Sequence, residues 1–320
     1  MSRVVLTSPT TLIAKELGDR LAAAEGLRLS SIDLVSADES EVGVLADIGN
    51  SAAMVSRLEP EGELDADLIF CCGGSFEDSR PYLEARSARS NVVLFASDTP
   101  ADIARPFLPW VDYPEGAEGA TLLAPHPGVV MVASILDSLQ ELSPRAATAT
   151  LLEPASMKDQ AGMDEVLGQT RAMLAFEGVS DPEVFPVQQA FNLTASDTAP
   201  GVLSTQLGIA APAAPPTSFM ALRAGTFHSV GLSLQVRFDA IPELEVVRDA
   251  LGASFRHDLR PELLGSMDAA AQPEILVGDL QLDPPTQSLW IWAAADNLTF
   301  GMEACGVEVA RALLAPAPPN

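Results

Sequence analysis

Arg3-Val4-Val5-Leu6-Thr7-Ser8-Pro9-Thr10-Thr11-Leu12-Ile13, continuing to Leu17 and Leu21, is the stretch on which the fold class turns. Arg3 to Leu6 is a short run of strand formers. Ser8-Pro9 supplies a helix N-cap and a first-turn proline, and Leu12, Ile13, Leu17 and Leu21 follow at helical spacing. The reading is strand, turn, helix. Downstream, apolar strands are predicted at Ser31 to Val35, Leu68 to Cys72 and Val92 to Ala96, separated by segments long enough for crossovers. Together they predict a Rossmann-like, doubly wound parallel sheet over roughly the first 125 residues.

The pattern changes after Ala124-Pro125-His126-Pro127. Val129, Val132, Ala133, Leu136 and Leu139 line one side of a helix, a β-type segment follows from Ala146 to Leu152, and a second helix runs from Gln160 to Phe176. Ala210 to Pro216 reads as a loop. Val230, Leu232, Leu234, Val236 and Phe238 then alternate with polar or small residues, the mark of a sheet covered on one face. The chain closes with Ile275 to Leu280, a turn at Asp283-Pro284-Pro285, the strand Leu289 to Trp292, and a helix from Gly301 to Leu314. The class is therefore α/β, with an α+β second domain.

A chain of 320 residues with 48% hydrophobic content is long and apolar enough for two packed domains. No run of about 18 uncharged apolar residues occurs, and Met1-Ser2-Arg3-Val4-Val5-Leu6 lacks the layout of a secretory signal; a soluble, cytoplasmic protein with no membrane role is expected. The net charge of −26 opposes nucleic acid and anionic lipid. Cys71, Cys72 and Cys305 have neither the number nor the spacing of a disulfide framework or a zinc site, so no metal is expected.

Ser288 to Leu298, with Trp290, Trp292 and Asp296-Asn297-Leu298, then Gly301 and Val307, resembles the end of aspartate-semialdehyde dehydrogenases, where a Trp-containing strand runs into Asp-Asn-Leu and a closing helix. Ile275 to Leu280 resembles that family's Val-Gly-Arg segment, Ala190-Phe191-Asn192-Leu193 its Ala-Phe-Asn element, and Ala161-Gly162-Met163 with Gln169-Thr170 the intervening helix. The chain resembles most closely the Usg-type paralogues, which depart from the catalytic motifs. The resemblance implies a dinucleotide-binding-like domain over 1–127 and 297–320, a dimerisation and substrate domain over 128–296, and a homodimer. It also implies a thioester route in which a cysteine attacks the aldehyde, NADP takes the hydride, phosphate releases the acyl group and a histidine moves protons.

Taken position by position, the resemblance implies that this chemistry is lost. The nucleophile position falls on Gly128, or Pro127, and the histidine position on Val230. Arg223, where the family binds the substrate carboxylate, His228 and Glu153 are left as vestigial candidates. In Arg223 to Val230, read as one strand, His228 precedes the histidine position by two residues, a displacement of about 6 to 7 Å on the same face; near solvent, it has no assigned task. His126, between two prolines, reads as a loop residue. The family's three turn glycines are Thr7, Thr10 and Ile13, and its phosphate-binding arginine is Asp38, followed by Glu39.

Residual dinucleotide contacts are assigned to Ser8, Thr10, Thr11, Asp38, Gly73, Gly74 and Asn297. The expectation is no cofactor, with NAD weakly favoured and NADP disfavoured. The leading function is a catalytically inactive dimer that binds or regulates, through a protein partner or a small polar ligand. The alternatives are an NAD(P)-dependent oxidoreductase with altered chemistry and a small-molecule sensor.

Overall fold

The computed structural model describes residues 2–49, 51–59, 62–111, 118–260 and 264–314. The last six residues of the expected segment 297–320 lie outside them. The chain divides into two units, Met1–Pro125 with Gly301–Asn320 and His126–Phe300.

In the first unit, β1 (Ser2–Thr7), β2 (Leu29–Ser36), β3 (Leu68–Cys71), β4 (Asn91–Leu94) and β5 (Thr121–Leu123) form a parallel sheet. Two-residue strands, Ser56–Arg57 and Arg105–Pro106, extend its edges, and the order is Ser56–Arg57, β2, β1, β3, β4, β5, Arg105–Pro106. Chain direction across the sheet reverses at β1, the Rossmann-like switch point. Strand residues of both parities are fully buried, as two-sided cover requires: Val4, Leu6 and Phe70 join one cluster, Val5, Ile69 and Val92 the other. Helix α1 (Leu12–Ala23) places Leu17 and Leu21 in the first cluster, and α2 (Phe76–Ala85) places Tyr82 in the second.

Helix α1 starts three residues later than the Ser8-Pro9 signature suggests. Thr11 is its N-cap, accepting from the Ala14 N–H at 3.2 Å and donating to the Ser8 carbonyl at 2.9 Å. Ser8 takes a left-handed backbone (φ 48°), which turns the chain before the helix can begin. The closing segment packs Val307, Val309 and Ala310 into the Leu17 cluster. It is not one regular helix: a π turn at Glu303–Val307 precedes an α-helix at Glu308–Leu314. A Cβ on Gly306 would lie 2.3 Å from Leu17 Cδ1, so glycine permits the close approach at that turn.

The second unit carries a mixed sheet, ordered β7 (Leu193–Ala195), β8 (Thr217–Ala224), β6 (Ala146–Glu153), β9 (Val230–Arg237), β12 (Ser288–Ala295), β11 (Ile275–Asp283) and β10 (His257–Leu259). Val230, Leu232, Leu234 and Val236 are fully buried, whereas Ser233 and Gln235 face the other side. Helices α3 (Pro127–Ser138) and α5 (Pro200–Ala210) pack on the sheet, α6 (Leu244–Gly252) packs against α3, and α4 (Asp159–Leu174) lies beyond β6. Helix α3 is buried along nearly its whole length, so even its one polar interior side chain needs a partner.

Ser134 finds that partner in His257, Oγ to Nε2 at 2.9 Å, while His257 Nδ1 lies 3.2 Å from the Leu251 carbonyl. A carbonyl only accepts, so Nδ1 carries the proton and Nε2 accepts from the serine hydroxyl. The ring is neutral in the fold, and burial pushes its pKa down from 6.5 to about 4. The unfolded chain therefore binds a proton that the folded one refuses. Stability is full above pH 6.5 and falls as pH drops toward 4, by on the order of 3 kcal/mol. Denaturant titrations over this window should show a steeper loss for the native chain than for His257→Asn; equal slopes would disprove the assignment.

Candidate functional site

The register of the second sheet gathers the chemistry-bearing side chains at one end. Glu153, the last residue of β6, is paired with Arg223 on β8, and Leu152 is paired with Gly231 on β9, one residue from Val230. Val230 pairs with Ala295 on β12, which leads directly into Asp296 and Asn297. Helix α3 begins here too: Pro127 occupies its first turn and His126 is its N-cap.

His126 is buried rather than looped out. Its backbone N–H donates to Gln206 Oε1 at 2.9 Å, and its ring Nδ1 accepts from the Gly128 N–H at 3.1 Å. A ring nitrogen that accepts has no proton, so the hydrogen of the neutral imidazole sits on Nε2. Nε2 lies 3.1 Å from Glu153 Oε1, the two side chains being 4% and 3% exposed. The contact has ion-pair distance without hydrogen-bond alignment, and neither atom has a hydrogen-bond partner among the described residues. Glu153 Oε2 accepts from Ser196 Oγ at 2.5 Å. Burial pushes the Glu153 carboxyl up, but His126, Ser196 and Thr198 together outweigh it and hold it below its ordinary value.

Arg223 lies on the strand beside Glu153, 2% exposed, with its guanidinium 5.2 Å from the Phe185 ring centroid. Its Nη2 pairs with the Asp197 carboxylate, which Lys158 Nζ also reaches at 3.1 Å. Burial raises the Asp197 carboxyl, and the two cations more than offset it, so the group stays below its usual range. Asn297 is bonded within its own unit: its Oδ1 accepts from Ser156 Oγ at 3.0 Å and from the Ser229 N–H at 3.3 Å. The residue types at 126 and 153 do not announce their contact; the end of β6 and the start of α3 bring the two together.

Two sequence readings need correction. His126 is a buried helix cap, because the prolines on either side start α3 instead of opening a loop. Arg223 and Val230 do not share a strand: β8 ends at Ala224, β9 begins at Val230, and Gly225–Ser229 passes the end of β6, tied by the Ala155 and Ser156 N–H groups to the Thr226 and Phe227 carbonyls at 2.8 and 3.0 Å. His228 is half-buried in that connection, so the same-face argument for it fails. Val230 itself is fully buried.

Gly128 stands in the first turn of α3, and a Cβ placed on it would lie 2.4 and 2.7 Å from the two methyl carbons of Leu151, a fully buried residue of β6. Any side chain at 128 must displace packed core. The three thiols are buried, which pushes Cys71 and Cys305 up to about 12 and Cys72 well above its usual value and disfavours the thiolate.

The expected dinucleotide residues lie in the first unit around the end of β1, Asn297 excepted. Thr10 Oγ1 bonds the Glu41 carboxylate, which also accepts from Ser36 Oγ at 2.6 Å. Asp38 is exposed and accepts from the Ser40 N–H at 2.8 Å, a bond that lowers its pKa. A Cβ on Gly73 would lie 3.3 Å from Ser8 Oγ, placing the loop after β3 against the loop after β1; Gly74 faces open space. Among the described residues, no group of His, Cys, Asp and Glu has metal-binding geometry, and no helix is long and apolar enough to cross a membrane.

No protein-family model matches the chain, and no curated protein matches it in sequence. Solved structures do. A probable aspartate-semialdehyde dehydrogenase from Pseudomonas aeruginosa is 20% identical, with 98% of each chain covered and a TM-score of 0.85. Aspartate semialdehyde dehydrogenase II from Vibrio cholerae is 18% identical, covering 99% of this chain and 100% of that one, with a TM-score of 0.86. The Candida albicans enzyme, solved with NADP, is 14% identical over 98% and 99%, with a TM-score of 0.71. At these identities the chain shares their fold. The expectation of no cofactor, with NADP disfavoured, is corrected by the last of these, in which the fold is seen with NADP.

The Gly128–Leu151 contact is testable. Gly128→Ala should cost about 1 to 3 kcal/mol of stability by overpacking. In a Leu151→Ala background the same change should cost at least about 1 kcal/mol less, and the double-mutant cycle cancels alanine's intrinsic helix preference. Equal costs in urea titrations of the two backgrounds would show that Leu151 does not occupy the space.

Proposed function

We propose that the chain is a non-catalytic member of the aspartate-semialdehyde dehydrogenase family, a dimer that binds instead of turning over. One observation carries the reading: the position assigned to the nucleophile is Gly128, and the space a thiol would need there is filled by Leu151. A thioester route requires an attacking side chain at the start of α3, where the helix N-terminus would favour a thiolate. The buried Val230 at the histidine position offers no proton. His126 and Glu153 form a proton-bearing pair nearby, but the imidazole spends Nδ1 on the Gly128 N–H and faces a carboxylate with Nε2.

A nicotinamide dinucleotide fits the end of β1, without preference between NAD and NADP. Thr11 and the start of α1 supply a helix N-terminus for its phosphates, and Gly74, which faces open space, leaves room beside Ser8 and Gly73. Bound there, it would supply hydride chemistry.

The homodimer reading is supported by the second sheet. Cross-strand rows Trp290–Gln235–Thr148–Ser218 and Trp292–Ser233–Thr150–Met220 lie on the face opposite α3, and Trp290 and Met220 are 40% and 53% exposed. An apolar and hydroxyl-bearing sheet face of this kind suits a two-fold partner. Light scattering should give twice 33.6 kDa; a clean monomer would sink the dimer.

Purified protein given aspartate semialdehyde, phosphate and either NAD or NADP should not reduce the nucleotide above a heat-treated control. Gly128→Cys alone should not restore turnover, because it lacks both space and the histidine, and groups that act as a unit are not additive. Phosphate-dependent reduction by the unmodified protein would overturn the reading, and mass spectrometry of a trapped acyl-enzyme would locate the nucleophile.

A further inference from the structure

Two loops meet over the end of the first sheet. The turn after β1 carries Thr10 and the loop after β2 carries Glu41, whose carboxylate takes one hydroxyl on each oxygen: Oε1 accepts from Thr10 Oγ1, and Oε2 from Ser36 Oγ at 2.6 Å. Ser36 is the last residue of β2, buried, and its own oxygen accepts from the Asp38 N–H at 3.0 Å. Arg57, the strand partner of Ser36, pairs with Glu39 instead. Two hydroxyls, and no cation among the described residues, therefore hold the Glu41 carboxylate.

The backbone beneath this side chain is fixed. The Glu41 N–H donates to the Asp38 carbonyl at 3.1 Å, the Glu41 carbonyl accepts from the Val44 N–H at 3.2 Å, and the Gly43 N–H donates to the Val55 carbonyl at 2.9 Å. The side chain has no such mooring. Thr10 is exposed, and a hydrogen bond open to water is nearly balanced by the water bonds that replace it. Rotation of Glu41 alone breaks both contacts and moves neither strand nor helix.

In a doubly wound sheet a dinucleotide crosses the carboxyl ends of the strands at the switch point, with its pyrophosphate at the first helix N-terminus and its adenosine ribose over the end of the adjoining strand. Here those landmarks are Thr11, the N-cap of α1, and Ser36, the end of β2. The bridge from Thr10 through Glu41 to Ser36 spans the interval between them and brings a carboxylate to the residue before the N-cap. Beside β3, on the other side of the switch point, Gly74 faces open space. We propose that Glu41 is a clasp that shuts the adenosine half of this crevice in the free chain and leaves the half beside β3 open. A diphosphate and this carboxylate cannot share the helix start, because like charges repel, so the nucleotide enters as the side chain swings out. The proposal rests on the reading of the end of β1 as a nucleotide site, and adds the residue that sets how often that site is open.

ADP, which carries the adenosine half and no nicotinamide, is the probe. It is titrated by calorimetry, at constant ionic strength, into the full-length native chain, Glu41→Ala, Thr10→Val and Ser36→Ala. With the clasp closed about nine-tenths of the time, Glu41→Ala should bind ADP about tenfold tighter. Thr10→Val and Ser36→Ala each keep the Glu41 charge and remove one of its two bonds, so each should gain several-fold. Unchanged affinity in Glu41→Ala overturns the proposal; weaker affinity does so as well, by making Glu41 a ligand of the ribose. A gain in Glu41→Ala with none in either hydroxyl variant also overturns it, since loss of charge then accounts for the gain. Should Glu41→Ala fail to fold, the hydroxyl variants decide, and no gain in either is the overturning result. ADP binding by the native chain without these gains overturns the clasp and leaves the nucleotide reading standing, whereas no ADP binding by any of the four chains overturns both.

Discussion

A carboxylate buried at the end of a strand must be surrounded by donors or cations, and Glu153 draws them from separate stretches of chain. Leaving such a group without partners costs several kcal/mol, enough to outweigh most single contacts in a protein. The solution places His126 at the start of α3 and Ser196 and Thr198 on the loop after β7. Satisfying one acid thereby ties the start of α3 and the loop between β7 and α5 to the end of β6.

The same constraint shapes what can happen at the start of α3. His126 caps the helix with the nitrogen a base would use, and Leu151, two residues before Glu153 on β6, fills the volume in front of Gly128. Catalysis needs space, an attacking atom and a free proton acceptor within hydrogen-bond reach. Here Leu151 occupies the space in front of Gly128, and the His126 Nδ1 accepts from the Gly128 N–H. Arg223 is a buried cation whose carboxylate partner, Asp197, comes from an exposed loop.

Much of the architecture is legible in the chain. The run Val4-Val5-Leu6 and the matching segments at Leu68 and Val92 announce a sheet buried on both faces, and the alternation from Val230 to Val236 announces one buried on one face. These patterns survive because burial is a local demand on each residue's polarity. Turn chemistry is less faithful: Ser8-Pro9 has the composition of a helix start, yet Ser8 adopts φ 48° and Thr11 does the capping. Both serine and threonine accept from a helix N–H, and the left-handed turn at Ser8 leaves the capping to Thr11.

By itself the sequence determined the two sheets, their order along the chain, the anionic surface and the lack of a thiol at the head of α3, since each is written in residue type and spacing. Only the tertiary structure decided that His126 is buried against Glu153, that Arg223 and Val230 stand on different strands either side of β6, and that Asp197 answers Arg223 across 26 residues. The physical reason is that hydrogen bonds and ion pairs between distant segments depend on strand register and loop path, and a periodic pattern of apolar residues leaves both unspecified.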